Sequence, residues 1–165
     1  MITIRPATEQ DFSLIRRLAD EVFPATYTPL LPEGQVEYMM EMMYSEEALQ
    51  EQLRSGHRFF LGYVCGEPAG YLSIEQQTDT LFHLHKLYVL PRFQRSGLGR
   101  ALFEEAVQKV RRKGVLPARI ELNVNRENKA LGFYERIGMR RDRVVDIKIG
   151  EGFEMNDYIM AYDID

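Results

Sequence analysis

The chain has 165 residues, 45% hydrophobic and 28% charged, with a formal net charge of −4 and a pI near 5.5. That length and balance predict one globular domain over residues 1–165 with a sizeable core, and the acidity argues against nucleic acid as a partner while suiting a cationic ligand. Cys65 is the only cysteine, which excludes a disulfide framework and a cysteine-based metal site, and no apolar run reaches membrane-spanning length.

Residues 1–5, Met-Ile-Thr-Ile-Arg, become charged too early for a signal peptide, so a cytoplasmic location is expected. Residues 2–5 read as a short strand. Thr8 suits an N-cap with Asp11 three residues on, and Phe12, Ile15, Leu18, Ala19 and Val22 supply the apolar face of a first helix. That helix is expected to stop near Pro24, and the three prolines of residues 24–32 predict a loop. A second helix is expected over Gly34–Tyr44, and a third, capped by Ser45, over Glu46–Arg54. Both are rich in glutamate, and the second carries Met39, Met40, Met42 and Met43. This region reads either as a solvated face with core methionines or as an adaptable acidic wall for a cation.

Residues 58–64 and 69–75 read as a hairpin about the turn Cys65-Gly66-Glu67-Pro68, and a further strand covers about 80–89. A helix follows over 99–113; its closing Arg111, Arg112 and Lys113 complement the helix dipole, and Gly114 suits the C-terminal cap. Next come a strand at 118–124, a helix at 128–137 closed by Gly138, and an antiparallel pair at 140–149 and 153–163. This order predicts an α/β or α+β fold with a mixed sheet, antiparallel at the front and containing one βαβ unit.

The centre of the chain is the run from His83 to Gly99. A strand, a turn at Pro91 and a glycine-containing loop lead into a helix there, so unpaired backbone N–H groups and the positive dipole end coincide. Residues 94–99 are therefore expected to hold a phosphate or pyrophosphate. Gly97 would admit close approach of the phosphate, and Gly99 would let the helix start tightly against the sheet. Neither a P-loop nor a dinucleotide fingerprint is present.

Gln94-x-x-Gly97-x-Gly99, the preceding Leu87-Tyr88-Val89, and the later run from Asn128 through Phe133-Tyr134-Glu135-Arg136-Ile137-Gly138-Met139 together resemble the GNAT superfamily of N-acetyltransferases. The likeness extends over essentially the whole chain and implies a mostly antiparallel twisted sheet with helices on both faces. It further implies acetyl transfer from acetyl-CoA, as co-substrate and without a metal, to a primary amine by direct attack in a ternary complex. Leu87, Tyr88 and Val89 would pair with the pantetheine arm. Gln94, Arg95, Ser96, Gly97, Leu98, Gly99 and Arg100 would hold the pyrophosphate. Asn128 would contact CoA, with Asn123 and Asn125 as alternatives, because the Asn–Tyr interval is one residue shorter than the commonest form. Tyr134 matches the family's general acid.

Where family members that acetylate polyamines carry a glutamate base, this chain has His85; Glu121 or an ordered water are the alternatives. His83 shares that strand face, but two histidines without further ligands do not make a metal site. The front of the chain is similar to bacterial spermidine/spermine acetyltransferases, which implies a polyamine or other small amine as acceptor. A protein or peptide amine, an amino acid or an aminoglycoside are the other acceptors, and a non-catalytic acyl-CoA-binding module is the other class. The family's habit of pairing through C-terminal strands implies a homodimer.

Overall fold

The computed structural model describes residues 1–165. In chain order the elements are β1 (Ile2–Pro6), α1 (Phe12–Tyr27), α2 (Gln35–Tyr44), α3 (Glu46–Arg54), β2 (His57–Val64), β3 (Glu67–Gln76) and β4 (Leu81–Val89), then α4 (Leu98–Lys113), β5 (Ala118–Asn125), α5 (Ala130–Arg136), β6 (Arg140–Gly150) and β7 (Phe153–Ile164). The strands form one seven-stranded sheet in the order β1-β2-β3-β4-β5-β7-β6. Every neighbouring pair is antiparallel except β4 and β5, which α4 connects as a βαβ unit. The mixed, mostly antiparallel sheet expected from the sequence is present.

Alternation along the strands sends side chains to two separate cores. On one face Leu72, Ile74, Phe82, Leu84, Ile120 and Leu122 meet Leu102, Phe103, Ala106 and Val110 of α4. On the other, Phe59, Leu61 and Tyr71 meet Ile15, Ala19, Val22 and Phe23 of α1 and Leu49 of α3. Burying each such side chain contributes about 1.5–3 kcal/mol. The helix ends follow local chemistry. Thr8 and Asp11 form a capping box ahead of α1, Ser45 Oγ accepts from the Ala48 N–H, and Gly114 closes α4 at φ +78°. In the β2–β3 turn Cys65 and Gly66 both take positive φ, matching the twist of the flanking strands.

Pro24 does not end the first helix. α1 runs on to Tyr27, because Pro24 only removes its own N–H while its carbonyl still accepts from Thr28. The segment expected as a loop from residue 24 therefore delivers Tyr27 on a rigid helix. Gly99 also works differently from expectation: a Cβ there would meet the ring of Phe133 at 3.2 Å, so the close approach is to α5 and not to the sheet.

Two irregularities in β4 shape the molecule's centre. Its parallel ladder with β5 covers only Leu81–Leu84 against Arg119–Leu122. Its register against β3 steps from Ile74↔Leu84 to Ser73↔Lys86, leaving His85 as the extra residue of a β-bulge.

Candidate active site

Past Leu84 the two central strands part. β4 continues to Val89, paired only with β3 through Leu72↔Leu87, Tyr71↔Tyr88 and Gly70↔Val89, while β5 continues to Asn125 paired only with β7. Leu87, Tyr88 and Val89 thus have no ladder partner on the side facing β5. Backbone groups there are available to a ligand that runs between the strands.

The loop ahead of α4 lies at the end of the same strand. Arg95 (φ +69°) and Gly97 (φ +94°) both take left-handed conformations, and Ser96 Oγ accepts from the Leu98 N–H at 3.2 Å. Gln94 Nε2 donates to the Val89 carbonyl at 3.4 Å. The first bond into α4 runs from the Ala101 N–H to the Gly97 carbonyl. The N–H groups of Gly99 and Arg100 come before it and point out of the helix end, where the dipole is positive. Leu98 anchors this turn. Its side chain is fully buried in a notch over Gly62 and Gly70, where a Cβ would come within 2.7 Å and 3.2 Å of it. The turn can hold an anion because Leu98 pins it to β2 and β3.

Three phenols converge where the strands part. Tyr134, on α5, is 8% exposed, and its pKa is pushed well up by burial, with nearby Tyr27 adding to the shift. Tyr27, from the end of α1, shares a 2.9 Å hydrogen bond with Tyr88 of β4. Burial raises Tyr27, and its contacts with Tyr88 and Asn128 oppose the rise. Asn128 accepts the Ala130 N–H at the start of α5 through Oδ1. The other two candidate asparagines have different local partners. Asn123 donates to Asp157 of β7, whose carboxyl burial pushes upward, and Asn125 accepts the Glu127 N–H. No local sequence signal gives Tyr27 or Asp157 a role in the site: the first sits in a proline-rich run, and nothing marks a strand aspartate.

His85 does not sit among the phenols. The bulge turns it toward β3, where its Nε2 is 2.8 Å from Glu75 Oε1 and its ring stacks on His57 with centroids 4.2 Å apart. His83 lies 4.5 Å beyond, so all three histidines of the chain gather here. Burial pushes His85 down to about 4, with Glu75 acting against it, so the imidazole is neutral at physiological pH. Arg143 and Arg119 ion-pair with Glu121 and hold its carboxyl below the usual range, against its partial burial. The neighbouring Lys86 is pushed down to about 7 by burial and donates to Gln52 Oε1 at 2.8 Å.

A cavity of about 620 Å³ opens between the chain after α1, the end of β5 and the β6–β7 hairpin. Gln35, Asn125, Glu127, Asp146 and Glu154 line it, with Arg126 paired to Asp146. The hairpin is held over it by α2: Tyr38 donates to the Ile149 carbonyl and Gln35 to that of Glu154, both at 2.6 Å. A second cavity of about 330 Å³ between α1 and α2 is lined by Asp20, Glu37, Glu41 and Arg16.

The sequence model for the acetyltransferase (GNAT) domain matches residues 27–161, the stretch that contains the parted strands, the loop ahead of α4 and the three phenols. The chain belongs to the GNAT family. It is an acetyl-CoA-dependent N-acetyltransferase. Its relatives include an uncharacterized N-acetyltransferase of Mycobacterium tuberculosis, 26% identical over 156 residues, 93% of this chain and 98% of the relative. A spermidine N(1)-acetyltransferase of Thermoplasma acidophilum is 28% identical over 145 residues, 84% of this chain and 88% of the relative. Among solved structures, the PaiA N-acetyltransferase of Thermoplasma acidophilum in complex with coenzyme A is similar over 99% of both chains, with a TM-score of 0.83 and 24% identity. The fold is therefore common to this chain and that protein.

Proposed function

We propose that residues 1–165 act as one domain that acetylates a primary amine of a small polycation of the polyamine type, by direct attack within a ternary complex. The observation that carries the acceptor class is the acidic cavity. Glu127, Asp146 and Glu154 stand at its wall, at the end of β5, and one arginine offsets them. Carboxylates along a groove raise the encounter rate of a cation and orient it. The spermidine acetyltransferase among the relatives fits the same acceptor class.

In this reading the pyrophosphate rests on the N–H groups of Gly99 and Arg100, with Arg95 and Arg100 adding charge, and Asn128 contacts the CoA arm. The arm pairs with Leu87–Val89, and a backbone N–H there polarises the thioester carbonyl. The acceptor arrives as an ammonium and must lose a proton before its nitrogen can attack. His85, oriented by Glu75, takes that proton through water and passes it to solvent, to which its side chain is 28% exposed. Attack forms the C–N bond, and the tetrahedral carbon then expels the thiolate as the C–S bond breaks. Tyr134 protonates the thiolate and recovers a proton from the amide nitrogen. The net products are the N-acetyl amine, the free thiol of CoA and one proton.

The acceptor assignment is tested by measuring kcat/KM with spermidine, spermine, a lysine-containing peptide, a peptide with a free N-terminal alanine, and an aminoglycoside, identifying products by mass. Spermidine or spermine is expected to exceed the peptides by at least about tenfold, a difference of about 1.4 kcal/mol. Inert polyamines alongside an active peptide would overturn it.

A further inference from the structure

The cluster built by His57, Glu75 and His85 has a chemistry of its own. His57 opens β2, Glu75 faces it directly across the β2–β3 ladder, and the β4 bulge turns His85 onto the same carboxylate. The three ligand atoms lie within 4.8 Å of one another. His85 Nε2 is 2.8 Å and His57 Nε2 is 3.6 Å from the one oxygen Glu75 Oε1. Donors about 3.3 Å apart are what a tetrahedral ion with bonds of about 2.0–2.1 Å requires, so the two distances bracket that value.

His57 has no hydrogen bond through either ring nitrogen. Its Nδ1 is buried without a partner, and its Nε2 is beyond hydrogen-bonding distance of the carboxylate it faces. A buried polar group that meets no partner calls for an explanation. The other ring nitrogen, Nε2, is the one that faces the carboxylate that His85 also faces, and no hydrogen bond holds the His57 ring in its present orientation. Lys86, next in the chain after His85, donates its Nζ to Gln52 Oε1 and not to Glu75. The side chains of His57, Glu75 and His85 are 12%, 21% and 28% exposed, so solvent reaches one side of the group and a fourth ligand position stays open.

We infer that His57, Glu75 and His85 form a binding site for a first-row divalent transition metal of the zinc class. Two imidazoles and one carboxylate are a recurrent zinc donor set, and the nitrogen donors disfavour magnesium and calcium. The ligands come from three adjacent paired strands, which fixes their backbones, and because the two imidazole rings lie stacked, at least one must rotate about its χ angles for both nitrogens to meet one ion. A consequence for catalysis rests on the reading of His85 as base. An ion on Nε2 moves the ring proton to Nδ1, and the imidazole then has no free lone pair, so bound metal switches the transfer off.

The test titrates the full chain, stripped with a chelator and dialysed, with Zn²⁺ alone by calorimetry at about pH 7.5, where free imidazole is mostly neutral. Mg²⁺ serves as control, and Co²⁺ reports coordination through its visible absorption. One Zn²⁺ per chain is expected, with affinity lowered at least about tenfold in each of His57→Ala, Glu75→Gln and His85→Ala. Melting curves confirm that each variant is folded, and wild-type binding is read without any variant. Absence of saturable Zn²⁺ binding, or binding unchanged in all three variants, overturns the site. Amide product is then followed by mass with and without Zn²⁺, in wild type and in His57→Ala, which keeps the proposed base. Binding accompanied by loss of turnover in wild type alone supports both site and consequence. Binding without loss of turnover supports the site and sets aside His85 as the base.

Discussion

Tyr134→Phe lowers kcat by about 10²- to 10³-fold and leaves the affinity for acetyl-CoA within about twofold, because the change removes a proton donor and nothing else. The aromatic ring of Tyr134 belongs to the core beside Leu102 and Phe103, and phenylalanine keeps that packing. No group shifts the Tyr134 pKa through a hydrogen bond; burial and the charge of Tyr27 alone raise it, so deleting the hydroxyl leaves no buried partner unsatisfied. The melting temperature is accordingly expected to stay close to that of wild type. Raising the phenol keeps it protonated through neutral and mildly alkaline pH, so the wild-type rate shows no alkaline fall due to Tyr134 between about pH 6 and 9. The deficit of the variant is the same across that range. Stopped-flow binding of acetyl-CoA and steady-state kinetics on both proteins separate these effects. A loss of acetyl-CoA affinity equal to the loss in rate would mean that Tyr134 shapes the cofactor site and does not deliver a proton.

Gly70→Ala strikes the same centre from beneath. A Cβ at Gly70 would lie 2.5 Å from the carbonyl oxygen of Tyr88 and 3.2 Å from the Leu98 side chain. The first contact is with backbone, which cannot move out of the way by a rotamer change. Accommodation must shift β4 at Leu87–Val89 or lift Leu98, and with it the loop ahead of α4. Overpacking of this kind costs about 1–3 kcal/mol of stability. The KM for acetyl-CoA is expected to rise at least about tenfold, since the strand edge and the anion loop both depend on this contact. Gly66→Ala is the control: its Cβ meets no atom within 4 Å, although φ is +80°, so stability falls slightly and KM does not change. An unchanged KM in Gly70→Ala would mean that the strand edge does not set acetyl-CoA affinity.

Much of this arrangement was legible in the sequence, for identifiable reasons. Strand alternation and helix periodicity report burial directly, so the order of elements follows from the positions of the aliphatic residues, while helices on both faces of the sheet were implied by the family resemblance. Gln94, Gly97 and Gly99 mark a loop whose geometry is local, and Thr8, Ser45 and Gly114 cap helices through contacts a few residues long. What depends on tertiary contact was hidden. Pro24 stops a helix by propensity, yet α1 continues because packing of Phe23 and Tyr27 outweighs one lost hydrogen bond. Nothing near Tyr27 in the chain shows that its hydroxyl will meet that of Tyr88, 61 residues later. His85 and His83 share a strand face by local alternation, but the other partners of His85 are distant in the chain. His57 and Glu75 are 28 and 10 residues away, and only a one-residue bulge, invisible to a period-two pattern, turns His85 onto them. Leu98 resting over Gly62 and Gly70 is a contact of the same long-range kind.

The central claim is amine-dependent acetyl transfer on the edge of β4, and its most direct test is release of free CoA thiol from acetyl-CoA by the full chain, with and without spermidine, beside a direct measurement of CoA binding. The account predicts saturable CoA binding and thiol release that requires the amine and yields acetylated spermidine in equal amount. Saturable CoA binding with no release for spermidine or any other amine would contradict it and leave a module that holds acyl-CoA without turning it over.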